Sequence, residues 1–253
     1  MMHIIKADFK KISYLQGYRN VLLATAVLSI LFGMTFLFTT NVTTGKSLSD
    51  LSWIEIMDIT LLGIDVTTIM FIIFTAYFIA NEFASGTIYT SLAITPLRQK
   101  YFLCKLLFIA KISILSSIIL TCALIFIAYV MITMNNIDGM IWNSALMIKL
   151  FGVIIMPMFY SLLSLAGTFY TQTASGGIAF ALAVMFTPAL IKMFPANVSD
   201  VILPIFPEHA LHVFTEIHSS VDTGLWLNAS VILLLWIAIT SILSYWRFNK
   251  SDF

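Results

Sequence analysis

The sequence predicts an all-α fold: a polytopic membrane protein with six transmembrane helices. Three observations carry that prediction. Hydrophobic residues fill 60% of the 253 positions and charged residues only 10%, with a mean hydropathy of +1.00. That balance excludes an ordinary soluble domain. Six apolar runs reach the roughly 18 residues that a helix needs to cross a bilayer. The lysines and arginines are also strongly sorted between the connecting segments, although the formal net charge is only +1, and such sorting sets orientation.

The elements follow in chain order. His3 to Arg19 is amphipathic. Ile4, Ile5, Phe9, Ile12 and Leu15 share one helical face, and Lys6, Lys10 and Lys11 another. That is the pattern of an interfacial helix at the entry to a span, and Tyr14 and Tyr18 suit the headgroup level. Roughly 20 polar and amphipathic residues precede the first apolar run, which argues against a cleavable signal peptide. Span one is expected over residues 21–38, and Thr39 to Asp58 reads as a polar loop. Gly45-Lys46-Ser47 superficially matches a phosphate-binding loop. That motif needs a further glycine at position 40, which is Thr, and a preceding strand. The chain is therefore expected to carry no ATPase of its own.

Span two is expected over residues 59–80, with Asp65 in its outer third. An ionisable group inside a span is a functional candidate by default, or lines a water-accessible vestibule. Asn81 to Lys105 is the longest polar interruption in the first half. Glu82 stands where span two ends, with Arg98 or Lys105 as its expected partner. Gly86 breaks the helix by its backbone freedom. Thr87 to Ile94 can form two helical turns with Ile88 and Leu92 on one face. Thr95-Pro96 stops that short helix, and Pro96 suits the start of the next. The reading is helix, short crossing helix, helix.

Span three is expected over residues 106–134, with Lys111 snorkelling from its near end. Cys104 and Cys122 fall on that one helix roughly 27 Å apart, too far to pair. A loop with Asn135, Asn136, Asp138 and Gly139 leads to span four, residues 145–170, which Pro157 should kink. Thr171 to Ser175 make a tight hairpin into span five, residues 176–194, bent by Pro188. Gly177 with Ala181, and Ala179 with Ala183, allow close helix approach. Residues 195–225 form an outer polar and amphipathic segment, and span six covers residues 226–246. No internal repeat or interdomain linker stands out.

If the N-terminus is cytoplasmic, Lys6, Lys10, Lys11, Arg19, Arg98, Lys100, Lys105, Lys111, Arg247 and Lys250 lie inside, ten of the thirteen basic residues. Lys46, Lys149 and Lys192 fall outside. The positive-inside rule then puts both termini and the 81–105 segment on the cytoplasmic side.

Glu82, three residues, Gly86-Thr87, then Pro96, Arg98 and Lys105 resemble the E-x3-G-T … P-x-R … K signature of type-2 (exporter) ABC transporter permeases. The resemblance extends to the six-span layout and so covers essentially the whole chain. It implies that residues 81–105 hold a coupling helix, contacting a separate, dimeric ATP-binding subunit through Glu82, Gly86, Thr87, Pro96, Arg98 and Lys105. Residues 1–20 would be a connecting helix that also approaches that ATPase, and residues 21–253 the permease domain. ATP and magnesium would sit on the partner, with no cofactor and no nucleic acid on this chain. A second permease chain, identical or homologous, would complete the path across a bacterial cytoplasmic membrane. Short permeases of this kind export, or confer resistance to, amphipathic or toxic peptides, including antimicrobial ones, and hydrophobic drugs. Met156, Met158, Phe159 and Phe180 are the candidate wall of an apolar, adaptable cargo cavity.

Two other classes compete. His209, His212 and Glu216 fall at i, i+3 and i+7, one helical face, with His218 nearby. Zinc uses such ligands, which would suit a membrane-embedded metal-dependent hydrolase. The segment lacks the His-Glu-x-x-His order of a metalloprotease, and a solvated outer helix accounts for it equally. The third class is a non-transporting membrane sensor or immunity protein that binds a peptide.

Overall fold

A computed structural model of the chain describes residues 2–45, 47–94, 97–137, 142, 144–215 and 223–250. Among these the regular elements are all helical. In order they are α1 Met2–Tyr14, α2 Gln16–Thr44, α3 Trp53–Leu61, α4 Gly63–Ala84, α5 Thr87–Ile94 and α6 Arg98–Met134. They continue with α7 Ser144–Thr171, α8 Ala174–Ile191, α9 Ala196–Ile202, α10 Pro207–Thr215 and α11 Thr223–Lys250. Six units are long and apolar enough to cross a membrane: α2, α3 with α4, α6, α7, α8 and α11. The protein is an all-α, multi-pass membrane protein.

Two spans lie at the centre and four around them. The α3–α4 and α7 spans are each 61% buried in their most apolar stretch, against 17–28% for the others. α7 packs on α4, α6, α8, α10 and α11, and α4 packs on α2, α7 and α8. The outer four turn leucines and isoleucines outward, among them Leu23, Ile119, Leu190 and Leu234. In lipid such a surface needs no further cover. The central spans make their contacts partly through hydroxyls. Ser29 Oγ donates to Gly63 O at 2.8 Å, Ser164 Oγ to Ile72 O at 2.8 Å and Ser244 Oγ to Ala166 O at 2.7 Å. At the α7–α8 hairpin a Cβ on Gly177 would overlap Thr168 Oγ1 and stand 2.8 Å from Ser164 O. Gly177 and Ala181 are buried there, whereas Ala179 and Ala183 face outward.

Several boundaries differ from expectation, each for a local reason. The expected loop from Thr39 to Asp58 is largely helical. α2 continues to Thr44, with its threonine hydroxyls served within the helix, Thr39 Oγ1 to Thr35 O at 2.8 Å and Thr40 Oγ1 to Leu37 O at 2.6 Å. α3 starts early because Ser52 and Glu55 form a capping box. Ser52 Oγ accepts from Glu55 N at 3.3 Å, and Glu55 Oε2 accepts from Ser52 N at 2.8 Å. α6 begins at Arg98, so Lys105 lies two turns inside a helix rather than in the loop. Its 37 residues extend about 55 Å, well beyond the roughly 30 Å hydrocarbon core. Its first turns pack with α1 and α5. Thr95, Pro96, Lys46, Asp138, Gly139, Glu216 and His218 lie outside the described residues.

Candidate functional site

The charged residues that sequence patterning placed on separate elements meet at one end of the bundle. Glu82 closes α4, Lys105 stands on α6 and Lys11 on α1. Lys105 Nζ lies 2.7 Å from Glu82 Oε1 and 2.6 Å from Asp8 Oδ1. Lys11 Nζ donates to the same Glu82 Oε1 at 2.9 Å. Tyr101 Oη donates to Glu82 Oε2, so both carboxylate oxygens are taken. Asp8, Glu82 and Lys105 are 4%, 5% and 2% exposed, and only Lys11 reaches water appreciably. Two carboxylates and two ammoniums give zero formal charge, the condition under which a buried ion cluster is tolerable.

The walls are aromatic. Phe78 lies 5.1 Å from Lys11 Nζ and 5.3 Å from Lys105 Nζ, ring centroid to nitrogen, within cation–π range. The Tyr101 ring stacks on Phe248 of α11, and Phe169 of α7 meets Phe102 and Phe248 edge-on. These rings keep water from the ions, which strengthens their attraction and makes loss of any one of them expensive. Asp8 feels the desolvation most: burial pushes its carboxyl above the ordinary value of 3.8, a shift that Lys105 opposes. Its Oδ2 has no hydrogen-bond partner among the described residues.

The crossing helix α5 hangs from this cluster. Gly86 adopts φ +69°, the left-handed conformation that glycine tolerates without penalty. Gly86 N bonds back to Phe83 O at 3.2 Å, and Thr87 Oγ1 reaches Glu82 O at 3.4 Å. These bonds fix the turn out of α4. Ile88 is buried and Leu92 packs on the same aromatic cluster, while Tyr89 and Thr90 face outward. Of the two partners expected for Glu82, Lys105 is the one that meets it. Arg98 instead donates to Phe248 O at 3.2 Å and Asn249 O at 2.8 Å, the carbonyl end of α11, where a cation is favoured.

On α1, the expected apolar face packs on the protein, with Ile5 and Ile12 against the aromatic cluster and Phe9 edge-on to Phe108. Lys6 and Lys10 are exposed. Lys11 departs from the expected lysine face, turning inward to Glu82. Sequence reading missed Asp8 and Tyr101. Asp8 stands three residues after Ile5 and four before Ile12, so a charge on the apolar stripe was the signal for a buried partner. Tyr101 precedes Lys105 by one turn and shares its face of α6.

The opposite end holds a cavity of about 550 Å³ between α3, α4, α7, α8 and α10. Met156 lines it, as do Asp65, Tyr160, Glu208 and His212. Met158, Phe159 and Phe180, expected in a cavity wall, are packed between helices instead. Met158 joins the aromatic cluster near α6, Phe159 is buried against α8 and α10, and Phe180 presses on Gly167. His209 and His212 are both exposed on α10, and no group of three metal-binding side chains forms among the described residues. Neither a protein-family model nor a curated protein matches the chain.

Proposed function

We propose that the protein is the membrane permease subunit of an ATP-driven ABC exporter, with both termini and α5 on the cytoplasmic side of a bacterial membrane. The observation that carries this reading is the neutral ion cluster joining α1, α4 and α6 directly beside α5. A helix that must pass on a partner's motion has to be held rigidly, or the motion is lost in the joint. The Glu82–Lys105–Asp8–Lys11 cluster supplies such a joint, and the turn at Gly86 sets the direction of α5. The inward Ile88 and Leu92 leave Tyr89 outward as the side chain for a partner to grip.

In this mechanism ATP and magnesium bind to separate ATPase subunits. Their closure pushes α5, the cluster moves α4 and α6 as one body, and a path between two permease chains alternates its access. Amphipathic or toxic peptides and hydrophobic drugs are the cargo class best suited to the apolar spans. The sorting of ten of thirteen lysines and arginines to the α5 side supports the orientation.

The test is co-purification with an ATP-binding subunit together with export, measured in the same membranes. Wild type should retain the ATPase chain. Glu82→Ala should insert normally, yet bind the ATPase weakly or hydrolyse ATP without export. Full export by Glu82→Ala, or the failure of any ATP-binding chain to co-purify, would remove the reading.

A further inference from the structure

The cavity at the end opposite α5 has a chemistry of its own. Its volume of about 550 Å³ falls within the range of small-molecule sites. Its walls are apolar, with Leu61, Val153, Met156, Met185 and Phe186 prominent. Into this apolar space project three polar groups whose needs the protein does not fully meet. Tyr160 is 0% exposed, and its Oη has no hydrogen-bond partner among the described residues. Glu208 Oε2 is likewise buried and unpartnered. Asp65 lies on α4 within a membrane span, and its carboxyl makes no hydrogen bond or ion pair with a described residue, while it stands within electrostatic reach of Glu208 and His212.

Of the two carboxylates among these groups, Asp65 is the one that no permanent cation pairs with among the described residues. Lys149 is taken by Asp58. Glu208 Oε1 faces His212 Nε2 at 3.6 Å and the outlying Lys192 at 3.7 Å. Among the described residues the lining holds three acids, with Asp58 paired to Lys149 and Glu208 Oε1 to Lys192, which leaves the Asp65 carboxylate in excess. An unpartnered polar group in an apolar site is costly, and a buried carboxylate is costlier still unless a cation joins it. The ligand that answers all three groups has an apolar body and a cationic head carrying several N–H donors. A primary ammonium has three donors and no acceptor.

We propose that this cavity is a binding site for hydrophobic primary amines in their ammonium form. Asp65 and Glu208 receive the head group, the Tyr160 hydroxyl accepts its third hydrogen, and Met156, Met185 and Phe186 contact the apolar body. The site uses only this chain and does not depend on the transport reading. An anion of the same shape is repelled by the two carboxylates, and a neutral alcohol leaves them unpaired.

The experiment is calorimetric titration of the full chain in lipid nanodiscs with 3-phenylpropylammonium, using empty nanodiscs as the blank. The neutral probe is 3-phenylpropan-1-ol. Saturable binding of one ammonium per chain is expected, at least tenfold tighter than the alcohol. Asp65→Asn should weaken it at least tenfold, the loss of a charged acceptor. Tyr160→Phe should weaken it severalfold without lowering the melting temperature of the unliganded protein, because its hydroxyl has no hydrogen-bond partner among the described residues. Asp200→Asn, an exposed acid outside the cavity, should bind as wild type. Equal affinity for the alcohol, unchanged binding by Asp65→Asn, or heat no greater than that of empty nanodiscs would overturn the site. A lower melting temperature for unliganded Tyr160→Phe would also count against it, by showing that the hydroxyl is already used within the fold.

Discussion

Replacing Lys105 with Met tests the ion cluster most directly. The substitution keeps the length and apolar stem of the side chain and removes only its charge. Two contacts vanish together, at 2.6 Å to Asp8 and 2.7 Å to Glu82. Two carboxylates whose side chains are only 6% and 7% exposed then face a single cation, Lys11, whose side chain is 23% exposed. Removing one partner of a buried pair costs about 3–5 kcal/mol. Lys11 still holds Glu82 at 2.9 Å, so the low end of that range applies. The loss falls on Asp8, and Asp8 sits on α1, so α1 should release before the bundle unfolds. About 3 kcal/mol corresponds to roughly a hundredfold change in the docking equilibrium. Hydrogen exchange of the Asp8–Tyr14 amides in the purified protein reads this directly. Exchange there should rise by about two orders of magnitude in Lys105→Met, and not in Lys100→Met, where the lysine is exposed. Adding Asp8→Asn to Lys105→Met restores neutrality and should recover much of the protection. Unchanged exchange in Lys105→Met, or no recovery in the double variant, would refute the account of α1 as clamped by this cluster.

Four further outcomes are expected. The pKa of Asp8 is raised in the fold above its ordinary 3.8, so its contribution to stability is fullest below that value and is lost as pH rises through the folded one. The melting temperature of wild type minus that of Asp8→Asn should therefore fall between pH 4 and pH 7, and a flat or rising difference would contradict the burial argument. Gly86→Val forces a β-branched residue to φ +69° at a cost of about 1–2 kcal/mol. It should reduce export while the protein still reaches the membrane, with Gly86→Asn milder, and equal export from both would dismiss the turn. Gly177→Ala should lower stability by about 1–3 kcal/mol through overpacking, read as a lower melting temperature, and Thr168→Ala should partly restore it because Thr168 Oγ1 is the atom overlapped. In a background lacking Cys104 and Cys122, cysteines at Ser47 and Asp222 should react with an impermeant thiol reagent in intact cells and one at Gln99 should not; labelling at Gln99 would invert the orientation.

The spans were legible because apolar length is a property of consecutive residues, and α5 was legible because Gly86 and Thr95-Pro96 bracket it in the chain. Ile88 and Leu92 fall on its inner face as their spacing requires. What the sequence left open was which residues pair across elements. Lys105 and Arg98 are both basic and both near Glu82 in sequence, and only the direction of α6 decides between them. Lys11 looked like one of three equivalent lysines until the position of α4 distinguished it. Met158, Phe159 and Phe180 were indistinguishable from Met156 by composition, because helix packing and cavity lining use the same side chains. The cavity itself joins five helices, and the three polar groups proposed to bind its ligand come from residues 65, 160 and 208, which no local pattern connects.

The central position of the α3–α4 span has a consequence for how the chain is made. Ser164, whose hydroxyl caps the carbonyl of Ile72, lies 92 residues downstream, and Lys149 follows Asp58 by 91. At about 5–20 residues per second, α4 waits roughly 5–18 s in the bilayer before α7 arrives to cover it. Its hydroxyls are suited to that wait. Thr60 and Thr68 bond the carbonyls of Ile56 and Ile64 in their own helical turns, and Thr67 bonds Ser29 on α2, already synthesised. Asp58 keeps a half-exposed side chain near the bilayer edge, where water can serve it until its lysine emerges. Asp65 and Thr75 aside, the hydrogen-bonding groups of the segment destined for the middle of the protein are thus served before α7 leaves the ribosome.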